Sequence, residues 1–124
     1  MKVLLVDDTR TLLSLIQVYL MGWRMEFLEA KDGLEGLDKA RQHTPALIIS
    51  DVRMPGMDGF ELCAAIRADR VLHATPVILL TSLADEQSRQ KGKLVGASAF
   101  LTKPVSVEEL RRTVQKVLGL PSKG

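Results

Sequence analysis

Ala46-Leu47-Ile48-Ile49-Ser50 is an apolar run near the middle of the chain, and it stops at the acidic residue Asp51. Apolar side chains at successive positions, rather than at every second one, are typical of a strand that is buried on both faces. Similar runs occupy residues 3–6 and 77–80, and weaker candidates occupy residues 24–28 and 98–101. Such strands occur in parallel sheets that helices cover on both sides, so these runs predict an α/β fold.

Segments with helical character separate the five predicted strands. They occupy residues 9–21, 33–42, 58–68, 85–95 and 106–118. Ser106 and Glu109 fit a capping box at the start of the last of them. Five strand–helix repeats predict one open parallel sheet with right-handed crossovers and helices on both faces. We expect a single domain over residues 1–120, followed by a short tail over residues 121–124.

Composition and charge exclude several classes of protein. The chain has 124 residues, of which 46% are apolar and 26% charged, as in ordinary globular domains. Its 17 basic and 15 acidic residues give a net charge of +2, so we expect neither nucleic acid nor a membrane as a direct partner. No apolar run approaches the roughly 20 residues of a membrane-spanning helix. The single cysteine, Cys63, cannot form an internal disulfide, which favours a cytoplasmic location.

Polar residues follow four of the predicted strands, at the points where those strands end. They are Asp7 and Asp8, Asp51, Thr81 and Ser82, and Thr102 and Lys103. Because the carboxyl ends of parallel strands meet at one edge of the sheet, these side chains are expected to converge there. Three crowded carboxylates repel one another and need a cation, and oxygen ligands suit Mg²⁺. A carboxylate nucleophile beside a lysine and a hydroxyl is equipped for phosphoryl transfer.

Each of these residues also has a purely structural explanation. Asp7 or Asp8 could cap the helix that follows. Asp51 could begin a turn, Thr81 or Ser82 could cap the next helix, and Lys103 could be a solvated loop residue. Each explanation is credible alone, but their coincidence at one edge of the sheet favours a functional site.

Four motifs resemble the receiver domain of two-component response regulators, the CheY-like family. They are Val6-Asp7-Asp8, the stretch from Ser50 to Gly59, Leu80-Thr81-Ser82 and Lys103-Pro104. The resemblance extends over nearly the whole chain. It implies a flavodoxin-like (βα)5 sandwich with the strand order 2-1-3-4-5. It also implies a phosphorylation-controlled signalling switch whose only chemistry is self-phosphotransfer and self-dephosphorylation, rather than an enzyme.

The resemblance assigns the phosphoryl chemistry to Asp51. This residue is expected to accept a phosphoryl group from a histidine kinase or a phosphotransfer protein in a Mg²⁺-dependent reaction. The ligands implied for the metal are Asp7, Asp8, Asp51 and the backbone carbonyl of Arg53.

The resemblance also implies how the phosphoryl group is held and detected. Lys103 is expected to pair with Asp51 and contact the phosphoryl group, and the Lys103–Pro104 peptide bond is expected to be cis. Thr81 is expected to donate a hydrogen bond to a phosphoryl oxygen, and Phe100 matches the aromatic switch position. Arg53 and Leu83 flank the site, and we expect them to slow loss of the phosphoryl group.

The expected output surface consists of the fourth helix, the fifth strand and the fifth helix. Movement of Thr81 would let Phe100 rotate inward and change this surface. Its predicted basic residues are Arg89, Lys91, Lys93, Arg111 and Arg112. The surface is expected to bind a downstream protein target or a second copy in a homodimer, although the charges could equally serve only to solvate two helices.

Three other functions compete with this interpretation. A receiver-like interaction module independent of phosphorylation would not need the intact set of Asp8, Asp51, Thr81 and Lys103. A phosphatase with an aspartyl intermediate commonly needs a second carboxylate two residues after its nucleophile, where this chain has Arg53. Flavin binding needs a phosphate-binding loop after the first strand, where Asp7 and Asp8 would repel phosphate.

Overall fold

The computed structural model describes residues 1–82 and 85–121, and within them the chain forms five strands that alternate with five helices. The strands are β1 (Lys2–Val6), β2 (Glu26–Ala30), β3 (Leu47–Asp51), β4 (Val77–Thr81) and β5 (Ala99–Thr102). The helices are α1 (Arg10–Tyr19), α2 (Gly33–His43), α3 (Gly59–Ala68), α4 (Glu86–Leu94) and α5 (Val107–Leu118). Within the described residues, none of the helices combines the length and the apolar composition that a membrane span requires.

The strands form one parallel sheet in the order β2-β1-β3-β4-β5, which confirms the predicted fold. The register pairs Val3 with Leu47 and Ile48 with Val77. All residues of β3 and β4 are buried, as the continuous apolar runs predicted. Since every strand points the same way, the carboxyl ends of β1, β3, β4 and β5 lie along one edge of the sheet.

Two apolar cores lie on opposite faces of the sheet. Successive residues of β1 alternate between them, with Leu4 in one core and Leu5 in the other. Helices α2 and α3 bury their apolar sides in the first core, and α1 and α5 do so in the second. Cys63 is buried in the first core as a free thiol. Both faces of the central strands must therefore be apolar. This explains why apolar residues fill successive positions in these strands instead of alternating with polar ones.

The edge strand β2 lies two residues later than predicted, at Glu26–Ala30 rather than residues 24–28. Its apolar residues are interrupted by Glu26 and Glu29, because an edge strand of this sheet remains partly exposed. A shift of two residues keeps each side chain on its face, so Phe27 still contacts one core and Leu28 the other.

The cap predicted at Ser106 is present, whereas α1 has no side-chain cap and α4 is capped by Asp85 and not by Thr81 or Ser82. Ser106 Oγ accepts a hydrogen bond from the Glu109 amide at 3.0 Å, which is the serine half of the predicted box. The box with both hydrogen bonds lies at the start of α3, between Asp58 and Glu61. The residue after Asp58 must be glycine, because a Cβ at Gly59 would lie 2.3 Å from the carbonyl oxygen of Asp51. Helix α3 thereby begins directly against the end of β3.

Candidate functional site

The predicted site residues converge at the carboxyl edge of the sheet. Asp7 follows β1, Asp51 and Thr81 end β3 and β4, and Lys103 follows β5. Carboxylate oxygens of Asp7, Asp8 and Asp51 lie within 4.8 Å of one another. The Lys103 amide donates to the Thr81 carbonyl at 2.7 Å, which holds the lysine beside this cluster.

Lys103 supplies the positive charge at the centre of the cluster. Its Nζ lies 3.0 Å from Asp51 Oδ1 and 3.5 Å from Asp7 Oδ2. The side chain is 27% exposed, so the ammonium reaches the carboxylates from the solvent side. The Lys103–Pro104 peptide bond is cis, as expected. In the described part of the chain, Lys103 is the only cation that forms an ion pair with this cluster, and it pairs with Asp7 and Asp51 but not with Asp8, so negative charge remains in excess.

Asp7 is the most constrained carboxylate of the three. Its Oδ1 accepts a hydrogen bond from the amide of Thr9, the N-cap residue of α1, at 2.7 Å, but neither Asp7 nor Asp8 caps the helix, because no side chain caps its first turn. Among the described residues its buried Oδ2 has no hydrogen-bond partner, and its 3.5 Å approach to Lys103 is an ion pair only. Burial raises the pKa of Asp7, and the Thr9 amide partly opposes that shift. A buried carboxylate oxygen without a donor fits a cation ligand.

Asp51 and Asp8 differ in exposure. Asp51 is 7% exposed, and its Oδ1 also accepts a hydrogen bond from the Val52 amide at 2.9 Å. Asp8 is exposed, and its contact with the Thr9 hydroxyl is long, at 3.5 Å. The cluster thus has two buried carboxylates and one that faces solvent. Such an oxygen set is typical of sites for hard divalent cations, and these acidic residues could bind a metal.

Behind the site, Thr81 and Phe100 lie on neighbouring strands, β4 and β5. Thr81 is almost fully buried, and Phe100 is partly buried. Phe100 stacks on Phe60 of α3 with ring centroids 6.3 Å apart, and the Arg89 guanidinium lies 5.8 Å from its centroid. A Cβ at Gly92 would lie 2.9 Å from the Phe100 ring. Sequence reasoning missed this arrangement, although a lone glycine within the polar α4 is a signal for close packing.

Two of the predicted basic residues do not belong to the α4–β5–α5 surface. Arg111 turns toward α1, where it donates to the carbonyls of Tyr19 and Met21 at 2.9 and 2.7 Å and lies 4.2 Å from the Trp23 ring centroid. Lys91 lies 5.0 Å from the ring centroid of Phe60, on the α3 side. Carbonyl oxygens and aromatic rings attract these cations, although Lys91 stays exposed to water. Arg53 is exposed after β3, and Leu83 lies outside the described residues.

Comparison with known proteins agrees with this geometry. A family model described as the response regulator receiver domain matches residues 3–115. Protein PilG of Pseudomonas aeruginosa is 36% identical over 110 residues, which cover 89% of this chain and 82% of PilG. Protein PilH of the same organism is 35% identical over 94% of this chain and 97% of its own length.

A solved structure with the same architecture is that of the chemotaxis response regulator CheY4 of Vibrio cholerae. It superposes with a TM-score of 0.87 at 40% sequence identity, and the match covers 94% of this chain and 98% of CheY4. Receiver domains are signalling switches rather than classical enzymes, and they interact with histidine kinases and downstream targets. With the family model, the relatives and the fold in agreement, the chain belongs to the response regulator receiver domains, the CheY-like family.

Proposed function

We propose that this receiver accepts a phosphoryl group on Asp51 from a histidine kinase or a phosphotransfer protein. The observation that carries the proposal is the position of Asp51, which lies in the carboxylate cluster with Oδ1 3.0 Å from Lys103 Nζ. Its place at the end of β3 puts the carboxylate at the edge of the sheet, where a donor protein can approach.

The chemistry is displacement at phosphorus. A carboxylate oxygen of Asp51 forms a bond to the phosphorus, the bond from phosphorus to the donor's histidine nitrogen breaks, and that nitrogen takes up a proton. Lys103 offsets the negative charge of the phosphoryl oxygens, and the Thr81 hydroxyl donates to one of them. Positioning and charge compensation of this kind account for most of the catalysis in phosphoryl transfer.

The cofactor of the proposal is Mg²⁺, held by Asp7, Asp8, Asp51 and the backbone carbonyl of Arg53. The support is the set of hard oxygen ligands, the buried Asp7 Oδ2 without a hydrogen-bond donor, and the excess of negative charge. When bound, the ion neutralises charge on the carboxylates and on the incoming phosphoryl oxygens.

The proposed chemistry stops at self-phosphotransfer and self-dephosphorylation. Arg53 stands two residues after the nucleophile, and its guanidinium cannot serve as a general base at neutral pH. We expect this exposed cation beside the phosphoryl group to slow hydrolysis. The matching expectation for Leu83 concerns a residue outside the described part of the chain.

The proposed output is a change at the surface formed by α4, β5 and α5. A phosphoryl group adds up to about two negative charges, and the Thr81 hydroxyl moves toward it. Phe100 then rotates into the space that Thr81 leaves, which releases its contacts with Arg89 of α4. A downstream protein or a second copy of the chain would detect the changed surface. We place this function in the cytoplasm, in one domain over residues 1–120, without direct contact to nucleic acid or membrane.

Intact-mass spectrometry tests the proposal. Incubation with acetyl phosphate or phosphoramidate and Mg²⁺ should add one phosphoryl group to the wild-type chain and none to Asp51→Asn, which keeps the shape of the side chain. Persistence of the adduct in Asp51→Asn would show that another residue is the phosphoacceptor. Absence of an adduct in the wild type, with the fold intact, would favour an interaction module that works without phosphorylation.

A further inference from the structure

Ser50 is a polar residue in the apolar interior of the sheet. Between their first and last residues, strands β1, β3 and β4 are apolar at every other position. The Ser50 side chain is fully buried, and its register neighbours are Val6 on β1 and Leu79 on β4, which both belong to the first core. A hydroxyl loses its hydration in such surroundings, a cost that an apolar residue would avoid. The serine therefore needs an explanation beyond packing.

The Ser50 hydroxyl is bonded to the backbone of the next residue. It donates a hydrogen bond of 2.8 Å to the carbonyl oxygen of Asp51. Gly59 packs against the same oxygen, since a Cβ there would lie 2.3 Å away from it. Rotation of this carbonyl would break the bond and leave a buried hydroxyl without its acceptor, which is costly. The hydroxyl and the start of α3 therefore hold the Asp51 carbonyl in one orientation.

The same peptide group also holds the carboxylate of Asp51. Its N–H, that of Val52, donates to the Leu80 carbonyl at 3.0 Å and to Asp51 Oδ1 at 2.9 Å. Because a peptide group is planar, its carbonyl and its N–H turn together. The Ser50 hydroxyl thus acts on Oδ1 through this peptide group. Oδ1 is also the oxygen that lies 3.0 Å from Lys103 Nζ.

We infer that Ser50 is a positioning residue for the phosphoacceptor, because its hydroxyl fixes the Asp51–Val52 peptide group and thereby orients the Asp51 carboxylate. The inference rests on the proposed function, since it assigns Ser50 a part in phosphoryl transfer to Asp51. Ser50 is fully buried, so it acts through Asp51 and not by contact with the donor. Attack at phosphorus requires the carboxylate oxygen in line with the breaking bond, and a misplacement of about 1 Å can cost about a hundredfold in rate.

A serine at the other end of the sheet separates this role from a purely structural one. Ser98 Oγ accepts a hydrogen bond of 3.1 Å from the amide of Val77, the first residue of β4. Ser98→Ala and Ser50→Ala each remove one hydroxyl that is bonded to the backbone of a central strand. Only Ser50 lies next to Asp51, so a loss of stability alone would affect phosphorylation in both variants, and a loss of positioning only in Ser50→Ala.

Initial rates of phosphorylation by phosphoramidate at saturating Mg²⁺, followed by intact-mass spectrometry, test the inference. Ser50→Ala should react about tenfold more slowly than the wild type, as expected for a slightly misplaced nucleophile. Ser50→Thr keeps the hydroxyl, and it should react at nearly the wild-type rate, as should Ser98→Ala. In Ser50→Ala the Val52 amide should exchange its hydrogen faster, relative to the Ile48 amide, which donates to the Pro76 carbonyl at the other end of β3.

Three results would overturn the inference. They are a wild-type rate in Ser50→Ala, an equal loss of rate in Ser98→Ala, and a Ser50→Thr variant that is as stable as Ser50→Ala and just as slow. Asp51→Asn is measured alongside. If the wild type gains the adduct, Asp51→Asn does not and Ser50→Ala reacts like the wild type, this inference alone is wrong. If the wild type gains no adduct, or if Asp51→Asn gains one, the proposed function is wrong.

Discussion

Asp7 and Asp8 are neighbours in the chain, but they occupy different environments. Asp7 is 2% exposed and holds the Thr9 amide, whereas Asp8 faces solvent. A solvent-facing carboxylate keeps its hydration in the metal-free protein, and beside an ion it can leave water on the ion, as Mg²⁺ prefers. The two residues should therefore respond differently to substitution.

Asp8→Ala should weaken Mg²⁺ binding at least tenfold and slow phosphorylation by acetyl phosphate, while stability without metal hardly changes. The reason is the loss of an anionic ligand that makes few contacts of its own. Isothermal titration with MgCl₂ measures the affinity, and chemical denaturation in EDTA provides the control. Unchanged Mg²⁺ affinity would exclude Asp8 as a ligand.

Asp7→Asn should stabilise the metal-free protein at pH 7 by about 1 kcal/mol, because it removes a buried charge with an unsatisfied oxygen. Burial raises the pKa of Asp7 in the folded protein above its usual value of 3.8. The free energy of unfolding of the wild type therefore falls as the pH rises from the pKa of Asp7 in the unfolded chain to its higher pKa in the folded protein. Above that folded-state pKa the free energy of unfolding stays lowered.

Urea denaturation in EDTA between pH 3 and pH 7 checks this sign. The gain from Asp7→Asn should vanish below the unfolded pKa and reach its full size at pH 7. A variant that is equally or less stable than the wild type at pH 7 would show that the Lys103 pair outweighs the cost of burial.

At the scale of the elements, α4 is held mainly at its carboxyl end. Gly92 is its only buried residue, and all its other residues are polar except the exposed Leu94. The turn after it is fastened to α3, since Arg67 donates to the Gly96 carbonyl at 2.9 Å and Cys63 Sγ to the Val95 carbonyl at 3.3 Å. Arg67 also donates to the Thr75 carbonyl at 2.6 Å. The carboxyl end of α4 is thereby tied to α3.

Arg67→Met should destabilise the fold by about 2 kcal/mol, because carbonyls of the α3–β4 and α4–β5 connections lose a charged donor. Hydrogen exchange should accelerate over residues 95–98 and much less over α1. The exposed Arg70→Met serves as a matched control and should change neither quantity. Equal acceleration throughout the chain would mean global destabilisation and not local release of α4.

The central strands and the residues at their ends were predictable, because burial on both faces leaves a continuous apolar run. Edge strand β2 was displaced by two residues, because Glu26 and Glu29 interrupt its run. The directions of Lys91 and Arg111 were not predictable either. Helical periodicity places their backbones, but a long cationic side chain follows whatever ring or carbonyl lies within its reach.

At the scale of the whole molecule, the site and the output surface are joined through the sheet and not through a flexible linker. Thr81 and Thr102 are directly paired across β4 and β5, and Phe100 lies two residues before Thr102. Helix α5 is fixed on the other side, because Arg111 ties it to the end of α1. We therefore expect the switch to displace α4 and β5 against a stationary α5.

The contact between the Arg111 guanidinium and the Trp23 ring allows tryptophan fluorescence to report on the packing of α5. Trp23 is the only tryptophan of the chain, and its indole Nε1 donates to the Pro121 carbonyl at 3.2 Å while its ring lies beneath the Arg111 guanidinium. Its emission spectrum thus registers the contact between α5 and the segment that follows α1. Addition of beryllofluoride should leave the wavelength of maximum emission unchanged, whereas Arg111→Ala should shift it to the red by admitting water to the ring. A red shift of the wild type on activation would reveal that the fifth helix itself moves.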